Sequence, residues 1–152
     1  MKHMFGLDQK VAIITGASGA LASSVAKSLG KAGVALALLS RNEGAVLPLC
    51  EEIVENGGRA NVYGADILSE ASLQSVKNDI LRDFKRIDIL LNIAGGNLPG
   101  ATIAPDKTIF DLSMEDFKKV VDLNLNGTVL PSLVFGKTMA EQQSGVIINY
   151  SS

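Results

Sequence analysis

A short apolar strand, a turn of small residues and a helix rich in Ala and Ser follow one another in VAIITGASGALASSVAKSLG, residues Val11 to Gly30. This order constrains the chain more than any other stretch. A buried strand that runs into a glycine turn and a helix N-terminus makes a site for an anion. The first free N–H groups of the helix point outward, its dipole adds about half a positive charge, and small residues let a phosphate reach the main chain. Gly16 and Gly19 stand in the turn, with only Ala and Ser between and after them until Leu21. The same order also occurs in structural turns that bind nothing, so the rest of the chain has to decide.

Strand and helix signals alternate from there on. Strands are expected at Val11–Ile14, Val34–Leu39, around Asn61–Gly64, at Ile87–Asn92 and at Val146–Tyr150. The first helix places Leu21, Ala22, Val25, Ala26 and Leu29 on one face, and Gly30 and Gly33 end it. Val46, Leu49, Cys50, Ile53 and Val54 mark a second helix, stopped by Gly57 and Gly58. A third, with Ser69 as its N-cap, aligns Leu73, Val76, Ile80, Leu81 and Phe84. After the fourth strand comes a long loop, Ile93 to Leu112, and loops of that length tend to carry function. Ser113 starts a long helix to about Gln142, with Asp116 as capping-box partner and a bend or break expected at Gly127 and Pro131. Such alternation with right-handed crossovers describes an α/β domain built on a doubly wound parallel sheet. Ligands of such sheets bind beyond the carboxyl ends of the strands, where strand order reverses.

Bulk properties narrow the function. The 152 residues, 47% of them apolar, suit one globular domain, 1–152, rather than two. A net charge of −2 speaks against nucleic acid or an anionic membrane surface as partner. The longest apolar run, Val34–Leu39, is far too short for a bilayer span, and the N-terminus shows no secretory pattern. A single cysteine, Cys50, rules out an internal disulfide and fits a cytoplasmic location. A single histidine, His3, leaves no basis for a histidine triad or a zinc site built on His, so no metal is expected.

The strand ends carry a set of motifs in order: TGASGALA after the first, AD at 65–66 after the third, NIAG at 92–95 after the fourth, an Asn in DLNLNG, and INYSS closing the fifth. On these motifs the chain resembles the short-chain dehydrogenase/reductase family over essentially its whole length. The resemblance implies a Rossmann-type three-layer αβα domain with strand order 3-2-1-4-5 and a nicotinamide cofactor. It implies cofactor contacts at Gly16, Ser18, Gly19, Ala20, Leu21, Ser40, Arg41, Asp66, Ile67, Asn92, Ala94 and Gly95. Asp66 would accept from the adenine amino group. The family usually reads T-G-x-x-x-G-x-G, and here Ala20 and Ala22 take the second and third glycine positions, so a methyl group at Ala20 faces the diphosphate. Ile93 replaces the second Asn of the usual N-N-A-G.

Ser40 and Arg41 stand where family members that prefer NAD carry an acidic residue. No carboxylate there repels a 2′-phosphate, and a guanidinium grips one through charge-assisted hydrogen bonds, so NADP(H) is favoured over NAD(H). Catalysis in the family uses an Asn, a Ser and a Tyr with a Lys four residues later. The resemblance assigns Asn124 to the first, holding a water in a proton relay, and Ser152 to the second, polarising the carbonyl. The Tyr and Lys would lie beyond residue 152, and Tyr150 does not replace the former. On this reading the chain is expected to be the N-terminal part of a longer enzyme, inactive alone, that pairs through its long helix into a dimer or tetramer. The loop sequence AGGNLPGAT resembles the D-mannonate oxidoreductase branch, in which Asn97 and Thr102 would hold hydroxyls of a sugar acid such as D-mannonate or D-fructuronate. Other polyol or 3-oxoacyl substrates stay open, as does a nucleotide-binding module without catalysis. A Rossmann-type methyltransferase would need an acidic residue near Ser40, and none is there.

Overall fold

The computed structural model describes residues 6–151, which leaves His3 and Ser152 outside the described part. Five parallel strands form one sheet: β1 Val11–Thr15, β2 Ala35–Ser40, β3 Arg59–Gly64, β4 Ile89–Asn92 and β5 Val146–Asn149, in the order β3-β2-β1-β4-β5. Strand order reverses between β1 and β4, so the two connections that leave β1 and β4 part at that point and open a crevice.

Helices α1 (Ala20–Lys31) and α2 (Leu47–Glu55) cover one face; α3 (Glu70–Phe84) and α5 (Gly127–Glu141) cover the other. Alternation along β1 shows how this arises. Val11 and Ile13 pack with Leu73, Ile80 and Phe135, whereas Ala12 and Ile14 pack with Ala22, Ala26 and Ile53. Both sets are apolar because a parallel strand inside such a sandwich meets a helix layer on each side. At the opposite rim, buried Asp88 ties the strand starts together. It accepts from Val11 N–H at 3.0 Å and from Arg86 at 2.6 and 2.7 Å.

Several expectations need correcting. Leu21 and Val54 are not core residues; they are about half exposed, at 53% and 50%. Leu21 sits in the first turn of α1 and lines the cleft, while its neighbour Ala22 takes the buried position against the sheet. The strand β4 starts at Ile89 rather than Ile87, and β3 begins earlier, at Arg59. The loop 93–112 contains two single turns, Pro99–Ala101 and Ile109–Asp111.

The expected long helix is two helices, α4 (Met114–Val121) and α5, joined by a π-turn over Asp122–Asn126. Pro131 itself lies inside α5. Having no N–H to bond back to Gly127, it weakens the ladder one turn earlier, next to where the wider turn forms. Ser113 does cap α4, accepting from Asp116 N–H at 3.2 Å. The reciprocal half of the capping box is missing, because Ser113 N–H bonds Gly100 O at 2.8 Å.

Candidate functional site

The crevice at the C-terminal ends of β1, β2, β3 and β4 is an open cleft of about 720 Å³. Its floor is the turn between β1 and α1. Gly16 adopts φ +66, and a Cβ there would stand 2.7 Å from the Cα of Ala94, so backbone conformation and close approach both require glycine. Gly19 N–H closes the turn onto Gly16 O at 2.9 Å, and Ala17 N–H bonds Leu39 O at 3.1 Å, fixing the turn against β2. Gly19 is the N-cap of α1 with extended backbone and offers no side chain to the helix. The N–H groups of Ala20, Leu21 and Ala22 therefore have no partner among the described residues, and no acidic residue lies in that first turn. All three residues line the cleft, as do Gly16, Ser18 and Gly19. Unpaired amides at the positive end of a helix dipole favour an anion there.

The second wall is built at the ends of β2 and β3. Ser40 Oγ accepts from Asn42 N–H at 3.1 Å, which turns the chain so that Arg41 stands exposed at the cleft's edge. Among the described residues Arg41 makes no ion pair or hydrogen bond. Asp66 and Ile67 follow β3. One carboxylate oxygen of Asp66 accepts from Leu68 N–H at 3.0 Å, the other has no protein partner among the described residues, and Ile67 lies against Gly127 at the start of α5.

The third wall follows β4. Thr15 Oγ1 accepts from the N–H groups of both Ile93 and Ala94 at 3.1 Å, so the end of β1 dictates the path of the chain past Ala94 and Gly95. Sequence reasoning missed this role. The signal available was a buried-strand Thr immediately before the first turn glycine.

Not every predicted residue reaches the cleft. Asn92 is buried and turned away from it; its amide donates to Asn149 Oδ1 at 2.8 Å and to Ser132 Oγ at 3.0 Å, joining β4 to β5 and α5. Asn124 stands behind the wall, in the π-turn. Its Oδ1 accepts from Gly96 N–H at 3.0 Å, and its Nδ2 donates to Gly96 O at 2.8 Å and Val120 O at 2.9 Å. Both amide hydrogens are thus engaged, and only a lone pair of Oδ1 is left for a further partner. Asn97 and Thr102 bond each other, at 2.8 Å, outside the cleft lining. Cleft residues outside the expected contact set are Ala22, Leu39, Asn42, Ala65, Leu68, Ile93 and Leu123. Among the described residues no cluster of His, Cys, Asp or Glu is arranged to hold a metal, and no helix is long and apolar enough to cross a membrane.

Sheet order, the reversal at β1 and β4 and an amide-lined glycine turn at that crevice define a dinucleotide-binding α/β protein of the Rossmann type. The match to known sequences is more specific. Residues 10–152 match the short chain dehydrogenase family, and the chain belongs to it. An uncharacterised oxidoreductase of Haemophilus influenzae is 39% identical, the alignment covering 96% of this chain and 55% of that one. The D-threitol dehydrogenase of Mycolicibacterium smegmatis is 32% identical over 97% of this chain and 54% of its own. Among solved structures, a Haemophilus protein provisionally described as a D-mannonate oxidoreductase, with bound NAD, superposes with TM-score 0.86 at 38% identity, covering 94% of this chain and 55% of that one. A metagenomic short-chain oxidoreductase in complex with NADP gives TM-score 0.83 at 26% identity, over 95% of this chain and 63% of the other. The chain spans about half the length of the curated relatives it matches.

Proposed function

We propose that this chain provides the cofactor site of an NADP(H)-dependent oxidoreductase that moves a hydride between nicotinamide and a carbonyl/alcohol pair on a sugar acid. The observation that carries this reading is the set of unpaired amides at Ala20, Leu21 and Ala22 beside the positive-φ Gly16. They fit a diphosphate, with Ser18 and Gly19 completing the turn. Asp66 and Ile67 would flank the adenine, and Ala94 and Gly95 the nicotinamide side. Asn92 would act from behind, by holding the end of β4 in place. Bound nicotinamide supplies the hydride chemistry, and the protein supplies orientation and protons.

The preference for NADP(H) is supported by the uncommitted Arg41 and by the hydroxyl of Ser40 at the end of β2. The relatives' complexes include both cofactors, so the choice rests on these two side chains. Asn124 and Ser152 are the chain's own candidates for the reacting centre. Asn124 can steady a water only as an acceptor through Oδ1, since its hydrogens are taken. The sugar-acid assignment draws on the likeness to the Haemophilus protein described as a D-mannonate oxidoreductase, and the D-threitol dehydrogenase extends the same preference to polyols. Pairing through α4 and α5 is supported by their exposed Phe117, Val121, Val129 and Leu133. The single cysteine, Cys50, fits a cytoplasmic enzyme.

Calorimetric titration tests the core of this proposal. NADPH is expected to bind more tightly than NADH. Arg41→Ala should weaken NADPH by about 10- to 100-fold, the worth of one lost charge-assisted hydrogen bond, and leave NADH unchanged. Equal losses for both cofactors would remove the 2′-phosphate reading. Hydride-transfer assays of the whole protein with D-fructuronate, a polyol and a 3-oxoacyl thioester then rank the substrates. Cofactor binding without turnover on any of them would favour a non-catalytic module.

A further inference from the structure

The loop after β4 is closed by its own side chains. Asn97 Nδ2 donates to Thr102 Oγ1 at 2.8 Å, that hydroxyl donates to Leu98 O at 3.2 Å, and Asn97 Oδ1 accepts from Leu98 N–H at 2.9 Å. Ala101 N–H also reaches Leu98 O, at 2.9 Å. Two side chains and the backbone N–H and C=O of Leu98 thus form a ring around the turn Pro99–Ala101, in which Pro99 already fixes one torsion. Both side chains are exposed, and water competes for each bond singly. Convergence on the backbone of Leu98 makes the set cooperative, since breaking one member loosens the others.

This ring is bolted down at two points. Gly96 is held on both its N–H and its carbonyl by Asn124, in the π-turn. Gly100 O accepts from Ser113 N–H at 2.8 Å, and the Asp116 carboxylate lies so close to Gly100 that a Cβ has no room. Both anchors belong to the α4–π-turn segment. Immediately before Gly96 stand Gly95 and Ala94, which form the cleft wall. Only Gly96 separates the ring from that wall.

We infer that Asn97 and Thr102 are a positioning pair: they clasp the loop into one shape and so set the nicotinamide-side wall, instead of binding substrate hydroxyls themselves. This rests on the cofactor reading of the cleft given above. One Nδ2 hydrogen of Asn97 and one lone pair of Thr102 Oγ1 stay free, but both side chains lie outside the cleft lining.

Hydrogen exchange of the Gly96 and Leu98 amides, measured on this chain without cofactor, tests the clasp. Asn97→Ala and Thr102→Val should each speed exchange about tenfold, since each opens the same ring. The double variant should be no faster than either single one, and Thr102→Ser should restore protection. In the whole protein, kcat should fall alike in all three disrupting variants while KM for substrate stays near its original value. Unchanged exchange, additive effects in the double variant, or a KM rise confined to hydroxyl-bearing substrates would overturn the inference. NADPH titration of the unaltered chain is scored separately. Failure there would sink the cofactor reading, whereas the exchange result decides the clasp by itself.

Discussion

Strands β1 and β5 are near twins in composition, VAIIT and VIIN, and both pair in parallel with β4. Their surroundings are opposite. Every residue of β1 is buried, whereas Val146, Ile147 and Ile148 of β5 are 54%, 39% and 44% exposed. The difference comes from what covers them. Between β2 and β4, β1 has α1 and α2 on one side and α3 and α5 on the other. Among the described residues β5 has only β4 along one edge and α5 near one face, where Gly136 lets Ile147 approach. An apolar run reports that a strand suits an interior; the layers around it decide whether it has one.

Three substitutions put weight on that comparison. Ile13→Ala, in the fully covered strand, should cost about 2–5 kcal/mol of unfolding free energy in urea titrations, because the space it leaves is enclosed between the sheet and the α3–α5 layer. A loss below about 1 kcal/mol would mean that the interior relaxes freely and that the contrast with β5 is weaker than the burial pattern implies.

Asp88→Asn comes next and probes the rim that joins β1 to β4. Burial pushes the Asp88 carboxyl up, but hydrogen bonds from Arg86 and Val11 N–H and the charges of Arg86 and Lys10 outweigh it, and its pKa is lowered. The folded form therefore keeps the carboxylate charged to lower pH than the unfolded chain does. Its stabilisation is complete above the ordinary carboxylate value of 3.8 and is lost as pH falls through the folded-state pKa. Asp88→Asn should lower stability by about 1.5–3 kcal/mol at neutral pH and flatten this acid limb. Parallel acid titrations of both proteins would expose a mistaken sign.

Ile148→Ala should have the smallest effect, below about 1 kcal/mol, since among the described residues the side chain is already 44% exposed. A cost matching that of Ile13→Ala would show β5 to be covered in solution.

The same contrast explains what could be read beforehand. The strands, the two helix layers and the glycine turn were legible because each rests on local pattern: the apolar run of β1, the apolar stripe of α3, the small residues around Gly16; strand order came from the family resemblance alone. Leu21 misled because spacing alone does not say which of two adjacent apolar residues, Leu21 or Ala22, takes the buried position. The capping box at Ser113 failed on a non-local competitor, Gly100 O, invisible to any local rule. Pro131 signalled trouble in the long helix, yet the relief formed one turn upstream, where a wider turn was the solution. At the site, Thr15 and the mutual bond of Asn97 and Thr102 were hidden for a related reason. A polar side chain in a sequence does not announce whether it will face a ligand or its own neighbour.

The π-turn also sets the phase of everything after it. Each residue of a helix advances about 100° around the axis, so the one extra residue accommodated at Asp122–Asn126 rotates α5 relative to α4 by nearly a third of a revolution. That offset lets Asn124 face the loop while Val134, Phe135 and Met139 face the sheet. Deleting a single residue there would leave both helices intact and still misalign them, so that either the loop or the core loses its partner.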